Sequence, residues 1–264
     1  MTTRLTSTPA TANPLRVWLA LTGSELLRFS RNPMGMVFTL LFPVLFFALF
    51  GLPNLEGKIS GAAAGPYLLV AYACYGLMLT AVSNFGLTIA REREMGWYKL
   101  LRVAPISGLQ ALGAKVVQAL IAGLVSVALL FVFGGVAGHV WLPFGTVLLL
   151  ILKLLAAMIP FLMLGLALAY LLSANAAVPI VNILVLLLSF ASGLFIPLQF
   201  APAFIRTIAP YLPSYHMAQL GWSGLGAQNA GSAAGHWLWL AGYALVFGLI
   251  ALWAYRKDES KNFG

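Results

Sequence analysis

Charge is scarce in this 264-residue chain: only 8% of its residues are Asp, Glu, Lys or Arg, against about 25% in an ordinary soluble domain. So few charges cannot cover a globule of 28.2 kDa with a water-facing surface. A soluble enzyme and a nucleic-acid-binding domain are therefore excluded. Disorder is excluded by the opposite property: 61% of residues are hydrophobic, whereas disordered chains are poor in apolar residues. Cysteine is nearly absent. The single Cys74 lies in an apolar run, can form no intramolecular disulfide or Cys-rich metal site, and reads as a small packing residue. A phosphate loop is also missing. Gly108 to Lys115 comes near to G-x-x-x-x-G-K-[ST], but the Lys is one position late and Val116 replaces the hydroxyl residue. The three histidines, His139, His216 and His236, have no metal-motif spacing. They read as polar residues at an interface.

What is present is long apolar runs. A membrane-crossing helix needs about 20 mostly apolar residues. Six stretches qualify: Pro33–Leu52, Tyr67–Ala90, Leu109–Val136, Phe144–Leu172, Ala177–Pro197 and Trp237–Tyr255. They are continuous rather than alternating, which excludes a membrane β-barrel. The expected fold class is all-α: a polytopic membrane protein over 33–255, a cytoplasmic N-terminal region over 1–32 and a short cytoplasmic tail over 256–264.

Residues 1–13 are rich in Thr, Ser, Ala and Pro and do not form a cleavable signal peptide. From Pro14 to Arg31, Leu15, Trp18, Leu19, Thr22, Leu26 and Phe29 share one helical face, and Arg16, Glu25, Arg28 and Arg31 lie elsewhere. Asn13-Pro14 is a helix start signal. This predicts an amphipathic helix lying in the membrane surface. Orientation follows from the positive-inside rule. With the N-terminus inside, twelve of the fifteen Lys and Arg residues are cytoplasmic, leaving Lys58, Arg206 and Lys153 at or toward the outside. Six spans then return the C-terminus to the cytoplasm of an inner (plasma) membrane. Lys153 reads as a side chain snorkelling to the outer interface, and Asn182 as a hydrogen-bonding residue between helices, with Asn175 as a cap.

Two connections are more than turns. Arg91–Ala104 packs four positive and two negative residues between spans two and three. Trp97, Leu100, Leu101 and Ala104 form an apolar face at helical spacing, and Pro105 ends the segment. It reads as a short charged helix at the cytoplasmic mouth of the bundle, a handle for another protein. Its alternative is a solvated loop whose charges only set topology. The second connection, 193–220, is interrupted by Pro197, Pro202, Pro210 and Pro213. It is too apolar for an exposed loop and too broken to cross a membrane. Short re-entrant helices over 198–220, buried against the bundle, fit both facts.

At these two connections the chain resembles the permease subunit of type 2 ATP-binding-cassette (ABC) exporters. The first signature is the cluster Glu92, Arg93, Glu94 and Gly96, the helix with Leu100 and Leu101, then Pro105, Ile106, Ser107 and Lys115. The second is Ser192, Gly193 and Pro197, followed by Pro202, Pro210, Pro213, Ser214 and Tyr215. The resemblance covers nearly the whole chain. It implies two facing permease copies, a homodimer in the simplest case, in membrane lipid. Each would dock an ABC ATPase subunit through a coupling helix over 91–104, with Glu92, Arg93, Glu94, Gly96, Trp97, Lys99, Leu100, Leu101, Arg102 and Pro105 as coupling residues. Ser192, Gly193, Pro197, Pro202, Pro210, Pro213, Tyr215 and His216 would form a re-entrant gate at the outer end. The partner would hold ATP and Mg, and this chain would bind no cofactor, metal or nucleic acid. The family's default substrate is a small hydrophobic or amphipathic molecule, drug-like or lipid-like. The aromatics are scattered rather than arranged as belts along a polysaccharide channel.

Two alternatives belong to other classes. A rhomboid-like intramembrane serine protease is suggested by Ser189, Ser192, Gly193 and His236. It lacks the expected His on span two, and His236 sits at the edge of its span, whereas a Ser–His pair must come within hydrogen-bond reach. An ATP-independent secondary carrier usually shows internal repeats, and none is found here.

Overall fold

The N-terminal helix starts where Asn13-Pro14 requires. In the computed structural model, which describes residues 13–96, 107–228 and 231–263, Pro14–Ser30 is helical and the Asn13 side chain accepts from the Leu15 N–H at 3.0 Å. Its inward face carries Trp18, Thr22, Glu25 and Leu26, while Leu15, Leu19 and Leu27 are exposed. The Trp18 ring sits over Gly113 of the third span, where a Cβ would come within 3.2 Å of the indole nitrogen. The apolar face predicted from periodicity is thus divided between the bundle and the surroundings.

Six helices are long and apolar enough to cross a membrane: Pro33–Asn54, Ala64–Glu94, Gly108–Gly138, Phe144–Leu171, Ala174–Ala191 and Ala233–Asp258. They match the six predicted runs, and the match follows from the length that a bilayer imposes on an apolar helix. The second span is the centre, with 89% of its apolar window buried, against 22% for the first and 17% for the sixth. The outer helices therefore keep broad apolar faces, such as Phe38, Leu41, Leu45 and Leu49 on span one. This exposure suits contact with lipid, because a water-soluble protein would bury such stripes.

Three boundaries differ from expectation. The second span continues through Glu94, because nothing between Ala90 and Glu94 breaks a helix. Gly96, at φ +73°, ends it. The fifth span ends at Ala191 rather than Pro197, because Gly193 at φ +82° turns the chain so tightly that a Cβ there would lie 2.7 Å from Leu198. Its N-cap is Ser173, which accepts from Ala176 N–H, and not Asn175.

The first two spans are not α-helical throughout. Pro43 sits inside span one, and Phe47–Gly51 above it adopts π-helical geometry, as does Leu79–Phe85 in span two. Such stretches concentrate at functional sites. Polar ties cross between spans at these depths. Asn84 donates to Thr39 Oγ1 at 2.7 Å, Ser126 to the Thr39 carbonyl at 3.1 Å, and Ser83 to Asn182 at 3.2 Å. The last is the inter-helix bond expected of Asn182. Lys153 is half-buried on span four.

Beyond span five the chain forms a short turn of helix at Leu198–Phe200, an exposed helix Ala203–Ile208, and the helix Pro213–Ser223. Prolines start each of the last two, at positions where the missing N–H costs nothing. Pro213–Ser223 is too short to cross a bilayer, yet nearly all of it is buried. At the same end of the bundle, Lys58–Ile59 and Ala62–Ala63 form a small antiparallel hairpin between spans one and two.

Candidate functional site

Three consecutive side chains in the last turn of span two, Glu92, Arg93 and Glu94, reach three different sets of neighbours. Successive residues on an α-helix point about 100° apart. A run of alternating charge on a central helix can therefore engage elements all around it.

Glu92 is 2% exposed. Its Oε1 accepts from Lys115 Nζ of span three at 2.8 Å and also from Arg28 of the N-terminal helix. Lys115 is 3% exposed and also donates to Glu25 at 2.5 Å, and Glu25 pairs with Arg28 at 2.9 Å. Two carboxylates and two cations thus form a closed cluster of alternating sign that joins the N-terminal helix to spans two and three. Burying these groups is costly unless each is paired. Lys115 reads in the sequence as one more cytoplasmic charge. In the fold it is the buried centre of this cluster.

Arg93 turns the other way. Its guanidinium donates at 2.7 Å to the carbonyls of Tyr170 and Leu172, at the C-terminal end of span four, and lies 3.9 Å from Asp258 at the end of span six. A cation is favourable there because the last carbonyls of a helix carry partial negative charge. Glu94 shows the mirror image. Its Oε1 accepts at 2.7 Å from Ala174 N–H, the first residue of span five. Free N–H groups and partial positive charge at a helix start favour a carboxylate. Through these three residues the end of span two holds the N-terminal helix and the ends of spans three, four, five and six.

Of the residues predicted to couple, Glu92, Arg93, Glu94 and Gly96 are in this turn. Trp97, Lys99, Leu100, Leu101, Arg102 and Pro105 lie outside the described residues. Ser107, just beyond, opens span three with a reciprocal cap: its hydroxyl accepts from Gln110 N–H, and the Gln110 side chain accepts from Ser107 N–H.

At the opposite end, the second predicted group converges on span five. The hydroxyls of Ser192 and Ser214 are fully buried and hydrogen-bonded to each other, and both lie within reach of the Leu188 carbonyl, so that one donates to its neighbour and the other to that carbonyl. They tie the end of span five to the start of the buried helix. Pro197, Pro202, Pro210 and Pro213 mark the turns and helix starts between them. Tyr215 and His216 lie on the buried helix. The Nδ1 atoms of His216 and His236 are 2.8 Å apart, one ring donating to the other, and His216 stacks on Trp239 at 5.1 Å. Burial, and then the neighbouring His236, lower the His216 imidazole to about 4. This pair was not foreseen. It depends on the packing of the buried helix against span six, which the spacing of the histidines does not encode. The Ser189 hydroxyl donates one turn back, to the Val185 carbonyl. Ser189 and Ser192 are thus both engaged by span-five carbonyls, an arrangement that serves helix packing rather than a nucleophile.

Comparison with known proteins agrees with this architecture. A family model described as "ABC-2 family transporter protein" matches residues 61–253, well over half of the chain. The chain is also 25% identical, over 241 residues, to the Bacillus subtilis (strain 168) protein named "Putative transport permease YvfS". That alignment covers 90% of this chain and 96% of the relative. Such permeases are transport subunits rather than enzymes, and they work with an ABC ATPase that is a separate chain. The six apolar helices and the family match together make this a multi-pass membrane protein. The chain belongs to the ABC-2 family of transporters, as a permease subunit.

Proposed function

We propose that this permease is the membrane half of an ATP-driven exporter for a small hydrophobic or amphipathic molecule. Two copies face each other in the inner (plasma) membrane, with both termini cytoplasmic. The segment from Glu92 to Pro105 docks the partner ATPase, which holds ATP and Mg. Closure of the ATPases moves this segment and switches the pathway between inward and outward access. The N-terminal helix lies in the membrane surface. The segment 198–220 re-enters the membrane from outside as a gate. The observation that carries this reading is the set of three consecutive charged side chains, Glu92, Arg93 and Glu94, bound to three different groups of elements at one end of the bundle. A push on the chain just beyond Gly96 is delivered directly to the N-terminal helix and to spans three to six. The twelve positive residues assigned to that side support the orientation, and the exposed apolar faces of spans one and five support lipid and a second copy as neighbours.

The test has two parts. The chain co-expressed with its ATPase co-purifies with it through detergent, and alone it hydrolyses no ATP. ATPase activity from the lone polypeptide overturns the reading. With Cys74 replaced by Ser, single cysteines at Ser60 and Ser232 react with a membrane-impermeant thiol reagent on intact cells, and one at Ser260 does not. Labelling at 260 in intact cells reverses the orientation.

A further inference from the structure

At the end of the bundle opposite Glu92–Glu94, a cavity of about 720 Å³ opens between the small hairpin, the helix Ala203–Ile208 and the buried helix Pro213–Ser223. Its volume falls in the roughly 300–1,000 Å³ range of sites for drug-sized ligands. Its lining is selective in charge. Lys58 and Arg206 both contribute, and no carboxylate does. Each enters from a different element, Lys58 from the hairpin and Arg206 from the helix Ala203–Ile208. Neither is held in an ion pair among the described residues. Two unpaired cations in a concave, partly apolar wall concentrate positive potential inside it.

The rest of the lining has a different character. Tyr67 and Trp222 stack face to face at 4.2 Å with 7° between their planes, and the Trp222 indole donates to the Tyr67 carbonyl at 3.1 Å. Both are almost fully buried, so they stiffen the wall from behind, and the half-buried Leu198 and Tyr215 present its apolar surface to the cavity. Gln199 and Gln219 add amide donors and acceptors around it. The shape is fixed by backbone contact: Gln228 N–H donates to the Ser60 carbonyl at 2.6 Å, closing the hairpin onto the loop that follows the buried helix. A bare inorganic anion would use the cations and leave Leu198, Tyr215 and most of the volume unused.

We propose that this cavity binds an amphipathic anion, a molecule with one acidic group on an apolar or aromatic body. Lys58 and Arg206 take the acidic group, and Leu198 and Tyr215 carry the body. The inference rests on the permease reading and names the ligand class that its outer chamber admits. The same chemistry is offered by a soluble aromatic acid or by the headgroup of an anionic lipid.

The experiment uses the full-length permease in phosphatidylcholine nanodiscs, without the ATPase, so its outcome is independent of coupling. The probe is naphthalene-2-sulfonate, compared with neutral 2-naphthol and cationic 1-naphthylmethylammonium, read by saturable quenching of tryptophan fluorescence. The sulfonate is expected to bind more tightly than either analogue. Lys58→Gln with Arg206→Gln weakens it about tenfold or more. Lys58→Arg with Arg206→Lys retains binding and controls for folding, and Lys153→Gln leaves it unchanged. In nanodiscs containing phosphatidylglycerol, competition with the sulfonate identifies the lipid headgroup as an occupant, and unchanged binding identifies a soluble acid. Absence of saturable sulfonate binding, equal binding of the cationic analogue, or an unchanged affinity in the double Gln variant overturns the proposal. If export-coupled ATPase activity persists in that case, the site assignment has failed and the permease reading has not.

Discussion

The carboxylate of Glu94 accepts a 2.7 Å hydrogen bond from the backbone N–H of Ala174, so the last turn of span two caps the first turn of span five. This contact permits a sharp test of coupling. Glu94→Gln keeps an acceptor oxygen for Ala174 and removes only the charge. If the residue is no more than a cap, the variant loses about 0.3–1 kcal/mol of helix-end electrostatics and retains transport. If it relays the ATPase stroke, the variant inserts and assembles normally yet loses most substrate-stimulated ATPase activity. Glu56→Gln, on the exposed segment before the hairpin, is the control for both. Wild-type coupling in Glu94→Gln and in Glu92→Gln would return the segment to a topological role.

Lys115 and Glu92 give a prediction about stability. Lys115→Met alone strips the buried Glu92 of its closest ammonium partner and should destabilise the bundle by about 3–5 kcal/mol, as breaking buried pairs does. The double variant Glu92→Gln with Lys115→Met should recover most of that loss, because well-packed uncharged groups replace the pair. Thermal unfolding in detergent measures both. If the double variant is no more stable than the single one, the pair is not a unit. Where the double variant is stable but uncoupled, the pair serves relay rather than folding.

The His216–His236 contact sets a pH dependence. His216 in the fold titrates near 4, below the ordinary histidine value of about 6.5. Between those values the unfolded chain binds a proton that the folded chain does not. Stability should therefore be unaffected above about pH 6.5 and should decline as pH falls from there toward about 4. His216→Gln loses the stack on Trp239 and should lower the unfolding temperature at pH 7.5. It should also flatten the decline between pH 7.5 and pH 5. A slope as steep as in the wild type would assign the acid sensitivity to other groups.

The six helices could be read from the sequence because a bilayer demands a length and a polarity that few other structures need. The start of the N-terminal helix and the inter-helix role of Asn182 were equally legible, since caps and polar groups within apolar runs have few alternatives. Partner choice was not. Lys115 looks like any charge near a span end, and its partners Glu92 and Glu25 are far away along the chain. Arg91–Glu94 reads as the start of a separate helix because its charge differs from the apolar run before it. Helix propensity does not distinguish the two, so the helix runs on to the first residue that stops it. The histidine pair and the cavity between the hairpin and the buried helix depend on how loops return, and loop paths leave little trace in hydrophobic pattern.

Gly86 and Gly165 bring spans two and four into backbone contact. A Cβ added at Gly86 would lie 2.9 Å from the Gly165 carbonyl oxygen, and one added at Gly165 would lie 2.5 Å from the carbonyl of Ala81. No rotamer change can relieve a clash with main chain, so even alanine forces the two helices apart. This crossing lies on span two between the charged hub at Glu92–Glu94 and the stacked Tyr67 toward its other end. It therefore divides the molecule's evolutionary freedom unevenly. Side chains around the cavity and around the charged hub can be exchanged one at a time, while the spacing of the two helices stays fixed by two residues with no side chain to vary.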